Sequence, residues 1–150
     1  MKEFGFEDDG IKPSLLIELV PSTSWGDNLR SKLPKGKWDE LRKQCYKLAG
    51  YRCEVCGKPG LVHAHEVWSY DDEKHIQKLV RLIALCVPCH GVKHFGRTQA
   101  IGEGEEATKH LMNVNSWTRA QAITHIREAF KIWEQRSQYP WTLDISKILV

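Results

Sequence analysis

Two C-x-x-C pairs, Cys53/Cys56 and Cys86/Cys89, constrain this chain more than any other feature. Each pair puts two thiols on one tight turn, and four soft sulfur ligands favour a tetrahedral zinc ion. Twenty-nine residues separate Cys56 from Cys86. The chain can therefore leave the ion and return, so zinc closes a small lobe over 51–97 rather than a simple finger. Thiolates deprotonate as they bind, which turns metal affinity into folding free energy for that lobe. The fifth cysteine, Cys45, stands outside both pairs. An odd count dominated by paired knuckles suits metal binding in a reducing, cytoplasmic compartment better than an extracellular disulfide framework.

The rest of the chain is organised around this lobe. At 150 residues and 41% hydrophobic composition it is long enough for one domain with a modest core. The expected layout is an N-terminal arm and helix over 13–50, the zinc core over 51–97 and a helical extension over 107–150. No run approaches the length of a membrane span, so no membrane role is expected.

Residues 1–12 are polar and expected to be loosely held. Leu15 to Val20 reads as a short strand or extended arm stopped by Pro21, and 21–37 reads as loop. Trp38, Leu41, Cys45 and Leu48 recur at helical spacing, with Gly50 as the stop, which buries Cys45. Leu61 to Trp68 alternates as a strand, and Tyr70 to Lys74 forms an acidic turn. Ile76, Leu79, Val80 and Ile83 suggest a short helical face. His90 to Phe95 begins a helix that Gly96 interrupts, and 102–106 reads as a linker. A longer supporting helix follows, capped by Asn115 or Ser116, with Ala122, Ile123, Ile126, Ala129, Phe130 and Trp133 as its buried stripe. Beyond Pro140, the tail reads as a closing strand or docked segment.

Net charge is +3, but it is unevenly spread. Residues 1–29 hold six acids and two bases, 30–97 seven acids and fourteen bases, and 98–150 six of each. The middle carries a field able to attract a polyanion. On the first helix, Arg42, Lys43 and Lys47 lie off the apolar stripe, where they are solvated or touch a backbone phosphate.

Histidines raise this reading above a zinc scaffold. His63 and His65 share one face of an extended strand, and His90 and His94 share one face of a helix. If strand and helix pack together, these imidazoles meet around a second ion with open positions, the arrangement that hydrolysis of a phosphodiester requires. Glu66 adjoins the pair, where it can orient an imidazole, bind the ion through water or face outward. His75, His110 and His125 read as surface or tail residues outside the cluster. Trp25, Trp68 and Tyr70 are candidates to stack on bases, with core packing as the competing reading.

Residues 53–95, written C-E-V-C-G, then V-H-A-H-E-V-W, then A-L-C-V-P-C-H-G-V-K-H, resemble the HNH endonucleases of the ββα-metal class. The likeness covers about a third of the chain, and its most specific part is the second knuckle followed at once by His90. It implies an α+β fold: a small zinc-stapled ββα-metal core with flanking helices, holding one catalytic divalent ion (Mg2+, Mn2+, Ni2+ or Zn2+) beside the structural zinc. It further implies DNA hydrolysis leaving 5′-phosphate and 3′-hydroxyl ends. His65 matches the general base, and His90 matches a ligand of the ion, joined by His63 or His94.

Two positions depart from the pattern. Ala64 stands where Asp or His precedes the base, so His63 substitutes from upstream; the other register makes His65 the ligand and Glu66 or His63 the proton acceptor. Arg81 stands at the middle Asn, with Gln77 one turn earlier as an alternative amide. Arg81, Lys93 and Arg97 are candidates to neutralise phosphates. Double-stranded DNA is the expected partner, with a protein partner or homodimer beside it. A non-catalytic zinc-dependent nucleic-acid or protein binding module and a metal-dependent RNA nuclease are the competing readings.

Overall fold

The computed structural model describes residues 15–148, so the segment 1–12 expected to be loose lies outside the described residues. The fold is small and α+β. Its centre is a hairpin of β1 (His63–Asp71) and β2 (Ile76–Leu85), paired antiparallel, with a short β3 (Thr142–Asp144) parallel to β2 on the far side. Sheet order is β1-β2-β3, which leaves β1 as an edge strand. The hairpin turn closes where Asp71 accepts hydrogen bonds from the backbone N–H of Glu73 and Lys74, and His75 takes a left-handed conformation with φ 55°.

Helices cover both faces of the hairpin. A one-turn α1 (Leu29–Lys32) and α2 (Lys35–Leu48) lie on one side, where Trp38 packs with Trp68 and Leu79, and Cys45 with Val62 and Ala84. Burial pushes the Cys45 thiol up to about 12, so it stays protonated as a core residue. On the other side α3 (Val87–Lys93), α4 (Phe95–Ala100), α5 (Gly104–Asn115) and α6 (Arg119–Arg136) share the larger core with Ile83 and Leu85. Phe95, 2% exposed, is the largest fully buried side chain there; its truncation to Ala costs about 3–5 kcal/mol.

The N-terminal arm 15–20 pairs with no strand among the described residues. Leu15 and Ile17 are buried while Leu16 and Glu18 are exposed, and side chains of distant helices hold its backbone. Asn115 bonds both the N–H and the carbonyl of Leu15, and His125 Nε2 accepts from Ile17 N at 2.9 Å. These bonds occupy His125 and Asn115 structurally.

Several local expectations change. Ile76–Ile83 is strand, because a bulge at Val80, between the pairs Val67↔Arg81 and Trp68↔Leu79, divides the apolar residues between two covered faces. A strand buried on both sides reads as a continuous apolar run that mimics helical spacing. The 21–37 segment contains α1, and α2 begins at Lys35, earlier than the apolar stripe indicates. The 102–106 linker is a tight turn from which α5 starts at Gly104. Ser116, at φ 54°, ends α5 instead of capping the next helix; Thr118 caps α6 reciprocally with Gln121. Among the described residues no helix is long and apolar enough to cross a membrane.

Candidate functional site

Two ligand clusters lie at the base of the hairpin, one of them built also from the turn that precedes β1, and both use the helix that follows β2. The first is built by Cys53, Cys56, Cys86 and Cys89, whose sulfurs lie within 4.8 Å of one another. The first knuckle turns because Gly57 takes φ 79°, while Cys53 N donates to Lys58 O and Gly57 N to Cys53 O. The second forms where β2 runs into α3, with Cys86 as N-cap and Pro in the first turn. The sulfurs of Cys56 and Cys86 are 3.5 Å apart. A hydrogen bond from Cys89 holds the Cys53 thiol below its ordinary value, while burial pushes Cys86 up. Further thiolates at this spacing repel, so full ionisation needs a cation, and a compact set of four sulfurs suits zinc.

Cys89 also has a partner outside the knuckles. His110 Nε2, on α5, lies 3.2 Å from Cys89 Sγ. Sequence spacing hides this contact, because α5 meets α3 only through tertiary packing.

The second cluster lies on the α3 side of the hairpin. β1 aims His63 and His65 at that face, and α3, returning across it, carries His90, with His94 as its C-cap one turn on. One coordinating nitrogen each from His65, His90 and His94 falls within 4.8 Å of the others. Ring centroids are 5.4 Å apart for His65–His90, 5.0 Å for His65–His94 and 4.6 Å for His90–His94, all edge to face. The core is ββα-like, and its paired clusters are consistent with an HNH-type metal site. Compared with known proteins, the chain matches no family model, no curated protein and no solved structure.

The donor set suits a transition-metal ion. His90 Nε2 and His94 Nε2 are 3.1 Å apart; two lone pairs at that distance need a shared proton or a cation, and nitrogens about 2.0–2.1 Å from one ion reach such a spacing. Burial holds His65 well below its ordinary value, with His94, His90 and Lys93 adding to the effect. Burial, then the neighbouring His94, lowers His90 to about 4, and burial lowers His94 as well. All three rings are thereby neutral at pH 7, the state that ligates. His65 is 8% exposed and His94 is open to solvent, so the cluster is closed behind and accessible in front.

His63 takes a different position. Its Nδ1 is 3.1 Å from Nδ1 of His90, the ring nitrogen turned away from the cluster. Glu66 follows His65 at the β1 edge, where its Oε2 accepts from Leu29 N at 3.0 Å and burial raises its carboxyl above the ordinary range.

Other candidates lie elsewhere. Gln77 pairs with Tyr70 near the hairpin turn, five positions along β1 from His65, and is fully buried. Arg81 binds Glu54 at 2.6 Å beside the first knuckle. Arg42 is paired with Asp39 on α2, which also carries exposed Lys43 and Lys47 and packs on the sheet face opposite the imidazoles. Lys93 is buried in a pair with Glu18 at 3.1 Å, whereas Arg97, one turn beyond His94, is exposed. Of the aromatic candidates, Trp68 is core and Tyr70 packs against Trp141 and under Arg136. Trp25 alone among the three is exposed, at 67%.

A cleft of about 610 Å³ opens next to the imidazoles along the free edge of β1. His65, Glu66 and His94 form one wall and Trp25, Phe130 and Trp133 another.

Proposed function

We propose that the protein is a metal-dependent endonuclease that hydrolyses DNA phosphodiester bonds. The observation that carries this reading is the convergence of His65, His90 and His94, from a strand and a helix, apart from the cysteine centre. In this reading His65, His90 and His94 hold a divalent ion, Mg2+, Mn2+, Ni2+ or Zn2+, and the four cysteines hold a structural zinc. The divalent ion would supply positive charge to the scissile phosphate and the leaving oxygen.

Proton transfer falls to the chain. With His65 in the ligand set, proton acceptance is assigned to Glu66, which lines the same cleft as His65 and His94 while its Oε2 is held by Leu29 N on the α1 side of the edge strand. Burial already raises its carboxyl, and a more basic carboxylate is a better acceptor at neutral pH. Water oxygen bonds to phosphorus as the bond from phosphorus to the 3′-oxygen breaks. Glu66 takes the water proton, the 3′-oxygen is protonated from solvent, and 5′-phosphate and 3′-hydroxyl ends result. His63, through Nδ1, orients His90 and turns its Nε2 towards the cluster. Arg97 is the exposed cation nearest in sequence to His94 and is assigned to a flanking phosphate, so affinity falls as salt rises.

Supercoiled plasmid and structured RNA, incubated with and without each of the four ions, test the reading. Wild type nicks the plasmid only with a divalent ion, and His90→Ala or Glu66→Gln reduces the rate by about 10²–10⁴-fold. Cleavage of RNA alone would make it an RNA nuclease. One zinc per chain with no cleavage under any ion would overturn the assignment in favour of a binding module.

A further inference from the structure

The cleft beside the imidazoles is built unlike a duplex-binding surface. Its outer wall is aromatic, and the wall is fixed in place: the indole N–H groups of Trp25 and Trp133 both donate to Val20 O, at 2.9 and 3.1 Å. Their rings stack with centroids 6.2 Å apart and planes 24° from parallel. Gly26, at φ 89°, makes the turn that follows Trp25. An indole so anchored and still 67% exposed presents a flat face that none of the described residues covers.

Deeper in the same cleft is Ser24, 2% exposed, whose Oγ has no hydrogen-bond partner among the described residues. A buried hydroxyl left unsatisfied costs about 1–3 kcal/mol, so its retention beside a cleft points to a ligand atom that completes it. At about 610 Å³ the cleft falls within the range, about 300–1,000 Å³, that takes a small organic group. Arg97 and His94, both exposed, also line it, which puts a cation and an imidazole of the cluster next to the aromatic face.

A flat polar ring carrying a phosphate matches all three features. Paired bases in a duplex are stacked on their neighbours and show only their edges; a base offers its face to an indole only when it is unpaired or extruded. We infer that this cleft binds the base of an unpaired nucleotide next to the scissile phosphate, stacked on Trp25 and hydrogen-bonded by Ser24 Oγ. The inference rests on the nuclease reading and narrows its substrate to single-stranded, bulged or extrahelical sites.

Oligonucleotides carrying 2-aminopurine, whose fluorescence is quenched by stacking, provide the test. The base is placed unpaired or fully paired, in DNA and in RNA, and titrated with zinc-loaded wild type, Trp25→Ala and Trp25→Phe. Wild type is expected to quench the unpaired base saturably, with affinity about tenfold weaker in Trp25→Ala and recovered in Trp25→Phe. The sugar whose strand is quenched identifies DNA or RNA. Equal affinity and quenching by wild type and Trp25→Ala, equal binding of the paired base, or no quenching with either sugar overturns the inference. Unchanged zinc content in both variants establishes that the fold is intact.

Cleavage of the same strands separates this inference from the reading beneath it. Nicking with no preference for the unpaired step and no dependence on Trp25 removes the nucleobase site and leaves hydrolysis standing. Trp25-dependent quenching with no cleavage under any ion removes hydrolysis and leaves the cleft as a nucleobase site.

Discussion

The two ligand clusters flank one hairpin and share one helix yet differ in almost every physical respect. The cysteine centre is closed: three of its four residues are buried, and its ligands come from two knuckles that are themselves turns of the backbone. The histidine cluster is graded from buried His65 through half-buried His90 to exposed His94, and it borders a cleft. Closed thiolate sites hold a fold together, whereas neutral imidazoles open on one side leave positions for exchangeable ligands. The same short segment, Cys86 to His94, serves both centres, so the two ligand sets are separated by only one turn of helix.

The sharpest way to break this contrast is to damage one centre and measure the other. Cys86→Ser should produce the largest effect. Structural zinc contributes about 10–16 kcal/mol of binding energy at neutral pH, comparable to or larger than the whole stability of a typical domain. The variant should lose its zinc and its cooperative thermal transition together, as metal analysis and circular dichroism would reveal. Retention of a wild-type melt without zinc would break the assignment of the cysteine centre.

His90→Ala should behave in the opposite way. Cleavage falls as stated above, while zinc content stays the same and stability changes by no more than about 1 kcal/mol. A smaller effect comes from pH. In protein stripped of any ion at the imidazoles, burial holds His90 near 4 against an ordinary 6.5. Between those values the unfolded chain binds protons that the folded chain excludes, so stability falls as pH drops from about 6.5 towards 4. Melting curves across that window should fall more steeply for wild type than for His90→Ala. Parallel curves would mean that this ring is not held neutral.

His110→Ala sharpens the boundary of the zinc centre. Loss of its contact with Cys89 should weaken zinc retention about 10–100-fold in chelator competition, with His110→Gln recovering part of the effect. Cleavage by fully zinc-loaded protein should be unaffected.

Much of this arrangement is legible in the sequence because ligand chemistry is local. C-x-x-C turns, histidines two apart on a strand and four apart on a helix fix their own relative geometry before any tertiary contact forms. What escapes sequence reading depends on distant packing. The identity of β2 is obscured because both its faces are covered and a bulge shifts its register. His110 and His125 look idle until α5 and α6 fold back to Cys89 and to the N-terminal arm. The division of labour among the histidines is likewise hidden, since spacing alone does not reveal that His63 and the ligand cluster face opposite nitrogens of His90. Ser24 and Trp25 sit in a loop whose relation to the imidazoles is purely tertiary.

Glu54, inside the first knuckle, links that knuckle to the sheet. Its N–H donates to Ala84 O at 2.8 Å, its Oε2 accepts from Ala84 N, and its Oε1 accepts from Arg81. The knuckle thus grips β2 next to Ile83, the residue opposite His65. Slippage of a strand by a single residue would turn its side chains to the other face. By clamping alignment at this point, the cysteine knuckle helps to keep the imidazoles on one side of the hairpin.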